Sequence, residues 1–519
     1  MEKLILFFLA FSIDALNVSQ LEKHRNLNIQ VPQYPPTTKH IAQTNLSTSA
    51  TNLYTIQQSG RYYFDTPLQG LPGSANCRVI KITASNVTLD LNGMTISQAH
   101  TNNQTGLNAI DIASSVSNVI IMNGFINGIT DVGINIGSSC NNIRILNIGI
   151  SNCKGGGIQV ATTCNGISLQ NVDVTNCVGG GTSALPSNAA TGLYMTTCTD
   201  FELKDCNFCF NQEAAGSGNG YGAYLLTCQD GRINNCNFSS NKGQASVGLQ
   251  LITNCRGIEL ENCKFNNNQS SAGNVYGLSI DTCQALNFTN CSALYNQDTG
   301  GTDCTGIYLT NTDACVLTNC ESNNNIGASG DTVEGFYVNT GTANIFKACK
   351  ALYNQTTAAN AYGFRFVSAT GCTICNSESS KNKATTTGNA YGIYVHSNST
   401  NNNVLNNFLF SNVANGDSGN RYYGFYDATL AATGTSTFLG GNVSYGHGQV
   451  GVSTSTQPNS GTSDANLNYY FELAGTLDSS NSSASVITEV QRGGTGLAGR
   501  IVTSGNTGMF GTFDNLSVY

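Results

Sequence analysis

The chain has 519 residues, of which only 10% are charged; it carries a formal net charge of -8, has no Trp and contains 57 Gly. A weakly acidic chain without basic clusters argues against nucleic acid or anionic lipid as its main partner. Its length alone would imply several domains, but an internal repeat makes most of it one body.

In chain order, Met1-Glu-Lys precedes an apolar run from Leu4 to Ile13, with Ala15 at a small-residue cleavage position. Residues 1–15 therefore read as a secretory signal peptide, which predicts a secreted or cell-surface protein. The run is too short to span a bilayer, and no later stretch is apolar enough, so no membrane span is expected. Residues 16–50 are polar, with Pro32, Pro35 and Pro36, and read as a leader. Order is expected from about 51, through Leu53-Tyr-Thr-Ile and then Val79 to Gly93. In the latter stretch Val87, Leu89 and Leu91 alternate with Thr88 and Asp90. Irregular coils follow near Asn108, Gly133 and Gly157.

From Gly192 to about Tyr445 one unit recurs nine times, starting at Gly192, Gly222, Gly248, Gly277, Gly306, Gly335, Gly363, Gly392 and Gly424. The spacings are 30, 26, 29, 29, 29, 28, 29 and 32, a period that belongs to solenoids or propellers. Each unit runs Gly, an alternating strand, a turn, a second alternating stretch ending near a Cys, and an Asn five residues later. Cys206 with Asn211, Cys263 with Asn268 and Cys349 with Asn354 show the pattern. A leucine-rich repeat would need a helix, which Gly, Ser and Thr do not favour. A left-handed hexapeptide helix would need a six-residue sub-period, which is absent. The reading that remains is all-β: a right-handed parallel β-helix of about thirteen coils over 51–458, with an N-terminal cap. Coils would stack ~4.8 Å apart.

The Val79–Gly93 stretch, closing in an Asn92-Gly93 turn, resembles the opening coil of right-handed β-helix proteins of the pectin-lyase-like superfamily, and the resemblance covers about residues 50 to 450. It implies the fold. Lyases and hydrolases of this fold use clustered carboxylates, with Arg, Lys or calcium, on an outer strand face. Asn311-Thr-Asp313 and Gly446-His-Gly448 look like two polygalacturonase motifs, yet four to five coils, ~20 Å, separate them, and a shared proton-transfer site needs hydrogen-bond reach. They read as chance matches. No cofactor or metal site is expected.

Residues 459–519 lack Cys and hold short β-like pieces, Tyr469 to Leu473 and Val486 to Val490. The run Gln491 to Leu497 is faintly similar to a motif of phage tail-fibre repeats. The plainer reading is a capping or oligomerising tail that covers an open sheet end and could make a homo-oligomer.

All 20 Cys lie between Cys77 and Cys375. Stacking in register would hold neighbouring Cβ atoms ~4.8 Å apart and parallel, beyond disulfide geometry, so the Cys are expected to be mostly buried thiols with a few bridges at loops. Cys206-x-x-Cys209 and Cys372-x-x-Cys375 would place their sulfurs on opposite strand faces, which opposes a metal or redox role.

Counting from each coil's Gly, positions +1 and +3 are apolar and should face the core. Position +2 should face outward, and it reads Asn135, Gln159, Tyr194, Tyr224, Gln250, Ser279, Tyr308, Tyr337, Arg365, Tyr394 and Tyr426. Tyr offers a flat apolar face with a polar tip, so Tyr194, Tyr224, Tyr308, Tyr337, Arg365, Tyr394 and Tyr426 are the candidate glycan-binding residues. The competing account is that Tyr suits β-surfaces and stacks for stability. A second column, Tyr221, Tyr276, Tyr362, Tyr391 and Tyr423, reads as corner packing. Glu202, Arg232 and Glu259 form a charge ladder that fixes register; Asp281 and His396 read as isolated surface residues. The Asn column reads as stacked amides joining the coils.

The sequence thus favours an exported, non-catalytic protein that presents a tyrosine-lined face to a polysaccharide or cell-surface glycan. A polysaccharide lyase, hydrolase or epimerase is the competing class, and a structural fibre component is a third. An enzyme would need a carboxylate with Lys, Arg or a second carboxylate in one outer groove, to which loops could add Asp298, Asp303 or Asp331.

Overall fold

The computed structural model describes residues 38–47, 51–70, 76–98, 106–180, 189–213, 218–300, 302–328, 330–414, 422–428, 437–440, 442–445, 450–454, 491–493 and 496–498. The expected signal peptide and most of the tail lie outside these residues.

Parallel β-strands wind through three faces per coil, and no α-helix occurs among the described residues. The first sheet has fifteen strands, from Asn52–Ile56 to Val450–Thr454, each paired in parallel with the strand one coil away. The Gly repeat belongs to this sheet. The second sheet receives stretches such as Thr199–Lys204 and Gln229–Asn234, and the third receives Lys350–Leu352, Glu378–Ser380 and Phe408–Phe410. Pairing is in register throughout: Leu193 meets Ala223, Ala223 meets Leu249, and Ile307 meets Phe336. The first rung lies earlier than expected. Thr38–Ile41, inside the stretch read as leader, pairs with Gly60–Phe64. Four residues, two of them Lys39 and His40, are too short an alternation to show in sequence.

Each corner is turned by residues with left-handed backbone, such as Asn123, Asn147, Asn171, Asn235, Asn262 and Asn290, with φ between 51° and 59°. Asn tolerates this region better than most residues. At one corner the same residue type also joins the coils. Asn211, Asn241, Asn268, Asn296, Asn325, Asn354, Asn382 and Asn412 are fully buried. Asn211 Oδ1 accepts the Cys177 backbone N–H, and from Asn241 onward each Oδ1 accepts the backbone N–H and the Nδ2 of the preceding ladder Asn; Asn296 donates both to Asn325 at 3.1 and 3.0 Å.

This ladder explains the repeat's Gly. A Cβ on Gly277 would meet Asn296 Nδ2 at 2.8 Å and the Gly306 carbonyl at 2.6 Å, and Gly222, Gly248, Gly335 and Gly363 are similarly hemmed in by the ladder amide and the next coil's carbonyl. The side chain must be absent for the amide and the next coil to approach.

The interior is filled by the +1 and +3 residues, by stacked Phe rings such as Phe336 and Phe364 at 4.7 Å, and by thiols. All 20 Cys are free, nineteen of them buried and Cys375 half-buried. The bridges expected at relaxed loops are therefore absent: stacking keeps the thiols parallel, and most donate to a carbonyl instead. Cys263 donates to the Ile233 carbonyl at 3.5 Å and Cys349 to that of Leu317 at 3.4 Å. Burial pushes Cys315 up to about 12 and Cys372 up to about 11, which makes thiolate formation unfavourable. No group of three His, Cys, Asp or Glu that could hold a metal occurs among the described residues.

Two outcomes follow for stability and reactivity. Gly277→Ala should lower unfolding stability by about 1–3 kcal/mol in denaturant titration, because backbone and ladder must both give way. A thiol reagent should leave the nineteen buried Cys unmodified in the native protein and titrate all 20 after unfolding without reductant.

Candidate functional site on the outer face of the first sheet

Alternation sends position +2 outward, and the register lines these residues up. Lys81, Asp111, Asn135, Gln159, Tyr194, Tyr224, Gln250, Ser279, Tyr308, Tyr337, Arg365, Tyr394 and Tyr426 are successive neighbours in one column. The sequence-predicted Tyr and Arg365 therefore share one face, but the face differs from a row of free rings. All are half-buried. Beside them runs the residue preceding each Gly, which also lies outside the main core: Tyr221 packs edge-on to Tyr224 at 5.3 Å and Tyr391 to Tyr394 at 5.0 Å. As expected, this second column is packing; Tyr221, Tyr362, Tyr391 and Tyr423 are buried.

Ring faces in the +2 column are largely taken by each other. Tyr194 stacks on Tyr224 at 5.6 Å and Tyr394 on Tyr426 at 5.4 Å, while Tyr308 lies against Tyr276 at 4.9 Å and Tyr337 at 5.2 Å. What reaches solvent is ring edge and hydroxyl. Gln250 and Ser279 interrupt the strip between Tyr224 and Tyr308.

At its centre the strip holds a charged pair. Arg365 lies over the Tyr337 ring at 4.7 Å and the Tyr362 ring at 4.9 Å, and its Nη1 donates to Glu334 Oε1 at 2.7 Å. Glu334 stands in the second column and is fully buried; its Oε2 accepts the Thr305 hydroxyl at 2.8 Å. Burial raises Glu334 to about 7 although Arg365 pulls it down, with the negative charge of Asp303 adding to the rise. Arg365 is disfavoured by burial, but Glu334 more than offsets this and holds it above its ordinary value.

A second carboxylate, in the +2 column itself, lies four coils below Tyr224. Asp111 is buried, accepts from Arg78 Nε at 3.2 Å and from Asn135 Nδ2 at 2.5 Å, and pairs with Lys81 Nζ. The sequence reading missed both carboxylates. A signal for Glu334 did exist: in consecutive coils, Glu334 and Arg365 break two otherwise tyrosine-rich columns.

Of the three loop carboxylates, Asp303 is half-buried and near enough to Glu334 for its charge to act there, whereas the other two are not open over this face. Asp298 and Asp331 are buried. Asp298 accepts from Ser270, Gly300 and Thr302; burial would raise it, but these hydrogen bonds hold it below its usual value. Burial, and then the Asp298 charge, raises Asp331 to about 6. In the second sheet Glu202, Arg232 and Glu259 are neighbours as expected, and Arg232 pairs with Glu259 at 3.2 Å. Asp281 and His396 are less isolated than the sequence suggested, since Asp281 accepts from Thr282 at 2.8 Å and the His396 ring lies 6.2 Å from Tyr394. Gly446-His-Gly448 lies outside the described residues.

With the geometry in hand, the sequence profile of the family described as "Right handed beta helix region" matches residues 166–303. The described coils wind as a right-handed β-helix. This right-handed β-helix is similar to the A-module of mannuronan C-5 epimerase AlgE4 from Azotobacter vinelandii, at 10% identity over 73% of this chain and 88% of that one, with a TM-score of 0.43. It is also similar to PfbA, a surface adhesin of Streptococcus pneumoniae, at 10% identity over 58% and 84%, TM-score 0.29. The tailspike protein of E. coli bacteriophage HK620 in complex with pentasaccharide is similar at 8% identity over 74% and 72%, TM-score 0.39. A comparison with curated proteins gives no match in sequence.

The buried acid gives a pH dependence of defined sign. Native Glu334 keeps its proton up to about 7, whereas the unfolded chain releases it near the ordinary value of 4.5. The contribution is stabilising below the unfolded value and is lost as pH rises through about 7. Wild type minus Glu334→Gln, measured by denaturant unfolding, should therefore lose about 1–3 kcal/mol between pH 4.5 and pH 8. A difference that is flat with pH contradicts this reading.

Proposed function

We propose that this β-helix is an exported, non-catalytic glycan-binding protein whose contact surface is the outer face of the first sheet around Tyr308, Tyr337 and Arg365. The observation that carries the reading is Arg365 clasped between the Tyr337 and Tyr362 rings and tied to Glu334. A pinned guanidinium flanked by two phenol rings loses little freedom when it binds. Its side chain is 23% exposed beside those rings, and an N–H there suits sugar hydroxyls while the rings suit C–H faces. The other candidates, Tyr194, Tyr224, Tyr394 and Tyr426, extend the same face along the stack. Secretion, a cell-surface location and assembly through the C-terminal tail belong to the same proposal.

The enzyme reading has a specific observation in its favour, since Asp111 with Lys81 and Arg78, and Glu334 with Arg365, each bring a carboxylate and a cation together on the outer face. Both carboxylates are buried, and their oxygens are already engaged. A general acid or base must reach the proton it moves, so binding is the better-supported function.

A glycan array of the purified chain, run beside reducing-end and unsaturated-product assays, tests this. Tyr308→Ala with Tyr337→Ala should weaken binding about tenfold or more, with no turnover of any polymer. Turnover that disappears in Glu334→Gln or Asp111→Asn would replace this reading with the catalytic one.

A further inference from the structure

One corner of the β-helix carries aromatic rings where the backbone disfavours them. The residue before each ladder Asn has left-handed φ: Phe210 58°, Ser240 61°, Asn267 56°, Tyr295 57°, Asn324 57°, Tyr353 57°, Lys381 57° and Ser411 50°. Asn meets this requirement at 267 and 324, and in the described residues Asn is the commonest residue at positive φ. A bulky side chain there is a genuine outlier. Among the described residues with positive φ, the aromatic ones are Phe210, Tyr295 and Tyr353, and all three fall in this one column.

Nor does burial explain the rings. Phe210, Tyr295 and Tyr353 are 56%, 53% and 47% exposed, among the most exposed large hydrophobics of the described structure. A strained backbone combined with an unburied ring is what a functional position looks like. The rings also differ from the outer strip in that they are not stacked on one another. Asn324 separates Tyr295 from Tyr353 by two coils, ~9.5 Å, about the length of two linked pyranose rings. Lys381 braces Tyr353 from one side, its Nζ 4.8 Å from the ring centroid and 2.6 Å from the hydroxyl. Amides of Gln269, Gln297 and Gln355 and exposed Ile326 run alongside in the adjacent column. The ledge is two columns wide, which fits a linear polymer better than the ~800 Å² a protein partner covers.

We propose that this corner is a second saccharide-contact site, in which Tyr295 and Tyr353, with Asn324 between them and Lys381 beside them, hold successive sugars of a glycan lying along the stack. It is separate from the Tyr308–Tyr337–Arg365 face and does not depend on that face being functional.

The test compares full-length wild type, Tyr295→Asn/Tyr353→Asn and Tyr308→Ala/Tyr337→Ala on one glycan array, with thermal melts of each. The corner variant should lose at least tenfold in signal on glycans that the strip variant retains. Because Asn suits left-handed backbone, its melting midpoint should stay level or rise by roughly 1–2 °C. Array hits all retained by the corner variant, or no hits for wild type, overturn the proposal; so does a lower midpoint, which would mean that the rings serve the fold. Hits lost only in the strip variant support the strip and overturn the corner.

Discussion

Every coil must repeat the backbone path of the one beneath it, because a parallel strand finds its hydrogen-bond partners only at the fixed separation of a sheet. The Gly–Asn device enforces this. From Asn241 to Asn412 a buried Asn in each coil receives two hydrogen bonds from its predecessor, and the Gly it faces leaves room for nothing larger than hydrogen. The ladder also satisfies corner N–H groups that would otherwise be buried without partners. Once this path is fixed, any residue type recurring at one position of the repeat becomes a physical column.

The columns divide the chemistry of the molecule. Inside, Cys, Phe, Leu and Ile close the core, and thiols donate weakly to carbonyls of the coil below. Outside the first sheet, tyrosines pack in two adjacent columns and use one another's faces, so the surface offered to a ligand consists of edges, hydroxyls and the clasped guanidinium. Asp111 and Glu334 are buried in that layer and bonded through both oxygens. At the Asn corner the arrangement is reversed: isolated rings stand away from the body on strained backbone. Two surfaces with opposite organisation on one scaffold are what a binding protein that follows a long polymer would use.

The parts legible in the sequence were those set by parity and period. Gly, Asn and Cys repeat at fixed offsets, and strand alternation alone placed Tyr194 through Tyr426 outward. The less legible parts depend on corners. Phe210, Tyr295 and Tyr353 point out because of the sign of φ, which alternation does not encode. Glu334 faces the same side as Arg365 although the two differ in parity from their own Gly, because the residue before the Gly already lies outside the main core. Asp298 and Asp331, in the variable segments, were candidates for the outer groove, but hydrogen bonds from Ser270, Gly300, Thr302 and Ala328 hold them buried. Cys geometry was legible in one respect: parallel stacking disfavours bridges, and it does so at the loops as well.

The account stands on coils a full period apart being neighbours. Lys264 and Phe408 are exposed residues of one column, linked through Ser292, Glu321, Lys350 and Glu378 by parallel pairing. Five coil steps should separate them by ~24 Å despite a sequence separation of 144 positions. Pulsed dipolar EPR on Lys264→Cys/Phe408→Cys in a Cys375→Ser background, spin-labelled in the native state, measures that distance. A single narrow distribution centred near ~24 Å is the expected result; a broad distribution, or a centre displaced by more than about two coil spacings, would contradict the stacking on which both proposed surfaces depend.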